Sequence, residues 1–395
     1  MKIVMVGPFG MRPRGTMSVR ALPLAQALVA RGHEVTLLLP PWQNPEASGQ
    51  ITAAAGVRIE NLRLPKGVPG WFHLRLTLAL VRRTLALQPD VVHVFKPKAY
   101  AGLTHWLLRA LRRRLPVVVD TDDWEGPGGW NDLAPYPALL KRFFTWQERW
   151  GLTRASAVTV ASRALETLVW SLGVPPARVC YLPNGVAWAG PPVTPTPHAR
   201  PTVLLYTRFF EFGLERIWRV LWQVRDARPA VRLWVVGQGL FGEERELFAL
   251  AREASWRISR KREPEPTADL VYAGWVEPTA LPRHFAQVDV ALYPFNDTLV
   301  NRTKCPVKLL DLLAAGIPVV GEAVGQIVEM IAPGETGLLI PPGDEPGLAW
   351  ALLSLLEDAE RRAQLRTRAA ADVRTRFSWA QLAQVAEAAY RIAGS

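Results

Sequence analysis

Residues 293–325 read YPFNDTLVNRTKCPVKLLDLLAAGIPVVGEAVG, Tyr293 to Gly325, and the fold is decided here. Val288, Val290 and Leu292 alternate as a buried strand does, and Tyr293-Pro294 closes it. A polar loop is expected through Thr303, and Pro306 suits the first position of a helix, where its missing N–H is no loss. Val307, Leu310 and Ala314 recur at helical spacing and are expected to pack inward, while Lys304, Lys308 and Asp311 fall together on another face near the helix start. Gly316 ends the helix, and Ile317-Pro318-Val319-Val320 begins the next strand. A helix opening after a strand offers backbone N–H groups and the positive end of its dipole, and two lysines add charge beside them. That is a place for a phosphate. Asp311, one turn further in, is placed to accept hydrogen bonds from ribose hydroxyls. The alternative is that Asp311 complements the dipole and the lysines are solvated.

A chain of 395 residues implies two domains and an ample core. The net charge of +12 points to acidic partners: nucleotide phosphates, anionic lipid headgroups or nucleic acid. No nucleic-acid fold signature accompanies the charge, so nucleic acid ranks low. Cys180 and Cys305 make a disulfide framework implausible, fit a reducing cytoplasm and lack metal-ligand spacing. No signal-peptide pattern opens the chain, and no apolar run approaches the ~20 residues of a membrane span. A cytoplasmic protein is expected, with peripheral attachment at the inner face of a membrane as an extension of that reading.

From the start, Lys2–Gly7 reads as a buried strand, Pro8–Thr16 as a loop with Gly10 and Gly15, Arg20–Ala30 as an amphipathic helix and Glu34–Leu39 as a strand. This βαβ opening predicts a parallel sheet covered on both faces. It lacks G-x-G-x-x-G, so a dinucleotide fingerprint is not supported. The glycine loop lets backbone N–H groups approach an anion, or else serves the turn alone. Strands follow at Val57–Leu62, Val91–Phe95 and Pro116–Asp120, with helices at Trp71–Leu87 and Ala99–Arg114. Trp71, Phe72 and Trp106 with Arg82, Arg83, Arg109 and Arg112–Arg114 make both helices basic and aromatic. Such helices lie on an anionic membrane surface, or turn their aromatics to the core and their arginines to water.

Asp120, Asp122, Asp123 and Glu125 stand within six positions at the carboxyl end of a parallel strand, where ligands bind in open α/β sheets. They can bind acceptor hydroxyls or raise one another's pKa for acid–base work. As metal ligands their spacing is weak evidence. A helix at Tyr136–Thr153, a strand at Ala157–Ala161, an N-cap at Ser162 and a strand–turn through Pro183-Asn184-Gly185-Val186 complete the half. Residues 187–200, AWAGPPVTPTPHAR, are proline-rich without periodicity and read as a linker. The second half repeats the pattern, with strands at Thr202–Tyr206, Val231–Val236 and Leu270–Ala273. An exposed charged loop is expected at Arg260–Thr267 and a final helix at Trp379–Ile392.

LLDLLAAGIPVV resembles the nucleotide-sugar segment of the retaining GT-B glycosyltransferases, the "glycosyl transferases group 1" family. LAQALVARGHEVTLL resembles their first unit, Pro183-Asn184-Gly185-Val186 the turn closing their first domain, and Val236-Gly237-Gln238-Gly239 their V-G-x-G turn. The resemblance implies an α/β GT-B fold: two Rossmann-like domains with parallel sheets facing a central cleft. The domains would be residues 1–186 on the acceptor side, a linker at 187–200, a nucleotide-sugar domain at 201–377, and a helix at 378–395 crossing back. It implies transfer of a sugar from a nucleoside-diphosphate sugar to a hydroxyl acceptor (a polysaccharide, a glycolipid or a small molecule) with retention, no cofactor and no required metal. Donor contacts would fall on Gly15, Thr16, Arg208, Gly237, Lys304, Val307, Lys308, Asp311 and Glu329. Asp122, Asp123, Arg208 and Lys308 would be catalytic. Two departures stand out: Thr303 replaces the family's first acidic residue, and Asp122 replaces the His of a His-Asp pair. A third is the family's second diphosphate cation, replaced by Glu211, Phe212 and Gly213, which suggests Lys304 or Lys308 as substitutes.

Two other readings stay open. A GT-B sugar-nucleotide epimerase would isomerise the donor without an acceptor. A catalytically idle module would bind a nucleotide or glycan and turn nothing over.

Overall fold

The computed structural model describes residues 1–12, 15–67, 69–188, 190–197, 199–260 and 266–395, with the backbone alone at 69 and 70. Most of the charged loop expected at 260–267 and parts of the Pro8–Thr16 loop and of the proline-rich stretch lie outside these. The chain divides into two compact units. The first comprises Met1–Gly185, Thr303–Cys305 and Phe377–Ser395, and the second Val186–Arg302 and Pro306–Arg376.

The first unit is built on strands β1 (Lys2–Val6), β2 (Glu34–Leu39), β3 (Ile51–Ala54), β4 (Val57–Asn61), β5 (Val91–Phe95), β6 (Val117–Thr121), β7 (Ala157–Val160) and β8 (Val179–Tyr181). Their order is β3-β4-β2-β1-β5-β6-β7-β8, parallel throughout except for β3 against β4. Ile3, Val4, Met5 and Val6 are all buried, as is every residue of β5 and β6. Such unbroken burial is what a parallel sheet covered on both faces requires. Helices α1 (Leu22–Ala30), α2 (Pro69–Ala86), α3 (Ala99–Leu111), α4 (Trp130–Leu133), α5 (Ala138–Arg154) and α6 (Arg163–Ser171) connect the strands. Ser162 caps α6, accepting a hydrogen bond from the Leu165 N–H. Strand order reverses between β1 and β5, so the carboxyl ends of these strands form the switch point where open α/β sheets bind ligands.

The second unit repeats this plan with β9 (Thr202–Tyr206), β10 (Arg232–Val236), β11 (Ile258–Ser259), β12 (Leu270–Gly274), β13 (Val290–Tyr293), β14 (Val319–Glu322) and β15 (Leu338–Ile340). The order is β11-β12-β10-β9-β13-β14-β15, all parallel, with the switch point between β9 and β13. Its helices are α7 (Leu214–Ala227), α8 (Glu244–Glu253), α9 (Leu281–Phe285), α10 (Leu299–Thr303), α11 (Val307–Ala314), α12 (Ile327–Met330), α13 (Glu345–Glu357) and α14 (Ala359–Arg376). The last helix, α15 (Trp379–Gly394), packs in the first unit, against α1 and the β7–β8 side of the sheet.

Several expectations need correcting. The helix expected from Arg20 begins earlier, as a wide π-type turn over Thr16–Ala21 that runs into α1. The polar loop before Thr303 contains α10. Within the stretch read as a linker, a reading these contacts leave as it was, Val193 N–H donates to the Ala315 carbonyl at 2.8 Å and Thr196 N–H to the Ala286 carbonyl at 2.8 Å. Trp71 and Trp106 are exposed rather than turned to the core. Pro306 caps α11 with extended backbone instead of opening it, and Val307 at its first position is only half-buried.

Candidate active site

In the first unit the loops after β1, β5 and β6 carry the charged side chains. Arg20, on the turn leading into α1, is buried and grips Asp120 with Nε 2.8 Å from Oδ1 and Nη2 2.6 Å from Oδ2. Its remaining donors go to the Asn184 side chain at 3.1 Å and the Leu182 carbonyl at 2.8 Å. Asp120 also accepts from Thr159 Oγ1 at 2.7 Å. Because Thr159 spends its proton there, its oxygen accepts from His93 Nε2 (3.2 Å), and His93 Nδ1 accepts from the Tyr390 hydroxyl (2.9 Å). Burial lowers His93 to about 4, so the ring stays neutral at neutral pH. Burial alone would raise Asp120, but the Arg20 charge outweighs it and holds the carboxyl low. Asp120 is therefore a structural anion, which corrects its reading as one of four open carboxylates.

The other three meet lysines that the sequence reading did not single out. Lys96 Nζ lies 3.1 Å from Asp122 Oδ1, 2.7 Å from Asp123 Oδ2 and 3.6 Å from Glu125 Oε1. Lys98 Nζ reaches Glu125 Oε2 at 2.6 Å and Asn131 Oδ1 at 2.8 Å, flanked by the Tyr136 and Phe144 rings. Lys96 holds a left-handed backbone, φ 51°, a strained conformation for a residue with a Cβ. Burial opposes its charge, yet the three carboxylates outweigh burial and keep it protonated well above the ordinary range. Thr16 Oγ1 donates to Asp122 Oδ2 at 2.9 Å, so the structure brings those two site residues together. Asp122 is pushed up to about 6 by burial, against the pull of Lys96, with Asp123 and Asp120 adding to the rise. Behind them, buried Glu148 accepts from the Glu125 N–H at 2.9 Å; burial and the Glu125 charge raise it well above the carboxylate range. Gly15 has ordinary helical φ, −84°, so its place does not demand glycine. The signal for Lys96 and Lys98 was present: Lys96-Pro97-Lys98 follows β5 at the same sheet edge that singled out Asp122.

In the second unit, β9 ends at Tyr206. Lys308 Nζ sits 3.9 Å from the centroid of the Tyr206 ring, a cation–π contact. Lys308 and Asp311 stand three residues apart on α11, where no side chain caps the first turn. Burial pushes Asp311 up to about 7, with the Lys308 charge pulling the other way. Lys304 is not on this helix. It lies in the Thr303–Cys305 segment of the first unit, where Ser162 Oγ donates to the Thr303 carbonyl and Asn184 Nδ2 to the Cys305 carbonyl. A residue preceding proline is driven out of helical backbone, so the helix could not begin before Pro306.

Arg208 follows β9 and is exposed; its carbonyl accepts from the Phe210 N–H at 3.0 Å, and its side chain makes no hydrogen bond or ion pair among the described residues. Gly237 has φ 123°, and a Cβ there would fall 1.9 Å from the Thr207 carbonyl oxygen. Its glycine identity lets β10 approach the loop bearing Arg208. Glu329 stands half-buried in α12, its carbonyl accepting from Arg376 Nη1 at 2.7 Å. Beside the loop, Arg216 makes a two-point pair with buried Glu322, 2.8 Å at each contact, and Glu322 also accepts from the Phe295 and Gly343 N–H groups. This anchor escaped the sequence reading because Arg216 and Glu322 stand 106 positions apart and only the fold joins them. Among the described residues, no group of three or more His, Cys, Asp or Glu is arranged to hold a metal ion, and no helix is long and apolar enough to cross a membrane.

Residues 15–185 match the glycosyl transferase 4-like domain, and residues 200–358 match glycosyl transferases group 1. The chain is 27% identical to 2-deoxystreptamine N-acetyl-D-glucosaminyltransferase of Streptomyces fradiae, over 92% of this chain and 87% of that one. Its structure resembles sucrose-phosphate synthase from Thermosynechococcus elongatus, with a TM-score of 0.72, 20% identity, and 99% and 98% of the two chains covered. It also resembles Anabaena HepE, solved with UDP-glucose, with a TM-score of 0.70, 18% identity and 98% of each chain covered. Two parallel α/β units of this kind define the GT-B fold, and the chain belongs to the GT-B glycosyltransferases. It is a glycosyl-transferring enzyme that depends on a nucleotide sugar.

Proposed function

We propose that the enzyme moves a sugar from a nucleoside-diphosphate sugar to a hydroxyl acceptor with retention of anomeric configuration. The second unit would hold the nucleotide and the first unit the acceptor. The observation that carries this is the pairing of Lys308 and Asp311 at an uncapped helix start, with Lys308 held over the ring of Tyr206 at the β9 end. A carboxylate and an ammonium three residues apart on one helix match a ribose and a diphosphate joined to each other. Lys308, Arg208 and the first backbone N–H groups of α11 would neutralise the leaving diphosphate, where negative charge develops. These groups supply the charge a metal would bring, so no metal is required on this reading. The acceptor hydroxyl would attack from the face the nucleotide leaves, without a protein nucleophile. Asp122 and Asp123 would orient that hydroxyl, with Thr16 and Lys96 fixing their carboxylates. Gly15, Gly237 and Glu329 are donor contacts by resemblance to the family.

Exposed Trp71 and Trp106, with exposed Arg82 and Arg112–Arg114, suit peripheral contact with an anionic membrane surface. Arg83 is committed elsewhere, to Glu60 at 2.5 and 2.9 Å.

A thermal-shift screen of uridine, guanosine and adenosine diphosphate sugars tests the donor reading. A ligand at 100 times its dissociation constant stabilises by about 2.7 kcal/mol. Stabilisation by one base series, followed by an α-linked product from an α-linked donor in proton NMR, is the expected result. No shift with any of the three, or an inverted product, would overturn it.

A further inference from the structure

We propose that the outward face of α5 is a binding groove for an acidic oligosaccharide, a chain of sugars bearing carboxylates, on the opposite side of that helix from the Asp122–Glu125 loop. The inference goes beyond the transfer reading above and stands or falls without it.

Helical spacing sorts α5 into two faces. Phe144, Gln147, Glu148 and Gly151 are buried. Gln147 accepts from the Ala99 N–H at 2.8 Å, and Glu148 from the Glu125 N–H at 2.9 Å. Arg142, Trp146, Arg149 and Trp150 recur at i, i+4, i+7 and i+8 on the other side and line a groove of about 650 Å³, to which Pro127 and Leu172 also contribute. A concavity of that size takes a compound of several rings, whereas a flat bilayer surface would leave it unfilled.

The face carries two stripes. Phe143, Trp146 and Trp150 form a ladder of rings, with centroids 5.8 Å apart at 25° and then 6.3 Å apart at 33°. Trp150 is held from behind by the buried His105 ring at 5.0 Å, and Trp146 is exposed. An indole presents a broad apolar face and a single N–H, a surface on which the C–H face of a pyranose can lie. Beside the rings stand Arg142 and Arg149, both exposed, their side chains making no hydrogen bond or ion pair among the described residues. Seven positions apart, they are separated by about 10 Å along the helix axis, so they meet different sugars of one chain. Lys141 adds a third cation, its Nζ 3.2 Å from the Asp132 carbonyl. The carboxylate among the lining residues, Asp132, accepts from the Gly128 N–H at 2.7 Å. Three cations against one anion complement an acid, and a planar guanidinium takes a carboxylate by two parallel hydrogen bonds.

Titration calorimetry of the full chain tests this, at about 0.15 M salt so that long-range charge is screened. The probes are hexagalacturonate, which carries a carboxylate on every sugar, and neutral maltohexaose. The wild type should bind hexagalacturonate about tenfold or more tightly than maltohexaose. Trp146→Ala, which removes the ring, and the double change Arg142→Gln with Arg149→Gln, which removes the charges, should each weaken hexagalacturonate about tenfold or more. Trp146→Phe keeps a ring and should stay within about threefold of the wild type. Arg112→Gln with Arg113→Gln, which lowers the net charge equally elsewhere on the first unit, and Asp122→Asn should each leave binding within about twofold. Thermal melts without sugar report any loss of fold.

No binding of hexagalacturonate, or binding that the Trp146→Ala and Arg142/Arg149 variants leave unmoved, overturns the groove. Equal weakening by the Arg112/Arg113 change would reduce the effect to net charge, and loss in Asp122→Asn would place the sugar at the acceptor site instead. Either result also overturns it. If the groove variants keep hexagalacturonate binding but lose co-sedimentation with phosphatidylglycerol vesicles, the face serves a membrane and the glycan inference is wrong. The transfer reading is untouched by each of these outcomes, since none of them measures donor binding or product.

Discussion

The Arg20 guanidinium meets the Asp120 carboxylate side-on, 2.8 and 2.6 Å apart at two contacts, with both side chains buried. This pair ties the turn after β1 to the end of β6, and two residues beyond Asp120 stands Asp122, which Thr16 of the same turn also contacts. The loop that presents Asp122 is therefore held by an ion pair that itself faces no ligand.

Breaking that pair should cost stability first. Asp120→Asn leaves a buried guanidinium without its counter-charge, expected to destabilise the fold by about 3–5 kcal/mol. Urea unfolding followed by tryptophan fluorescence measures it. Replacing both partners, Arg20→Met with Asp120→Leu, should recover part of the loss, since no charge is then stranded. Asp120 titrates below the usual carboxylate range in the folded chain, so the pair's contribution is present above the unfolded value and disappears as pH falls through the folded one. A cost below about 1 kcal/mol would mean that the pair behaves like a surface one.

Lys96 should govern the acid limb of activity. Asp122 sits near 6 because burial pushes it up and Lys96 pulls it down. If the ionised carboxylate orients the acceptor, the rate rises as pH climbs through about 6 in the wild type. Lys96→Gln removes the charge that favours ionisation, and the limb should move to higher pH by about one unit or more. The pH profile of nucleoside diphosphate release at limiting donor and acceptor reads this directly. An unmoved limb would detach Asp122 from the chemistry.

How much of this was legible depends on the reach of each interaction. The apolar runs at Val290–Leu292 and Ile3–Val6 are local, and strands form at both, although β13 begins only at Val290 and is buried at every position rather than alternately. Asp311 was visible because Lys308 lies three residues away on the same helix. Tyr206 was not, because its ring meets Lys308 from another strand, and nothing in TVLLY, Thr202–Tyr206, announces a contact a hundred positions on. Lys96 and Lys98 were likewise paired with Asp123 and Glu125 by the adjacency of β5 and β6, which is a property of the sheet. The helix face drawn through Lys304 failed for a local reason that was available: Pro306 fixes where α11 can begin.

The separation of the two lysines gives a comparison within one protein. Lys308 is on α11 over the Tyr206 ring, while Lys304 belongs to the segment bonded to Asn184 and Ser162. Lys308→Ala should weaken nucleoside diphosphate tenfold or more, about 1.5–3 kcal/mol for a charge-assisted hydrogen bond, and nucleoside hardly at all. Lys304→Ala should weaken diphosphate less. Titration calorimetry with the two ligands decides it. Equal weakening of diphosphate and nucleoside by Lys308→Ala would remove the lysine from the phosphate site.

Asp311 carries the sharpest test, because function and stability should respond in opposite directions. Its folded pKa, about 7, lies above that of an exposed aspartate, so the folded state binds the proton more tightly than the unfolded one does. The folded chain therefore loses stability as pH rises from about 4 to about 7, and at pH 8 it carries the full cost of an ionised, poorly solvated carboxylate. Asp311→Asn removes that cost, and the melting temperature at pH 8 should rise by roughly 2–4 °C for each kcal/mol relieved. The same change leaves one acceptor where the carboxylate had two, so nucleotide binding should fall by roughly 1–3 kcal/mol. A 2′,3′-dideoxy nucleotide should bind wild type and variant nearly alike, since the contact in question is missing from both complexes. A helix ornament would behave otherwise: losing a favourable dipole contact costs about 0.3–1 kcal/mol of stability and leaves nucleotide affinity unchanged. If Asp311→Asn and removal of the ribose hydroxyls weaken binding additively, carboxylate and ribose do not touch, and the donor belongs elsewhere on the second unit.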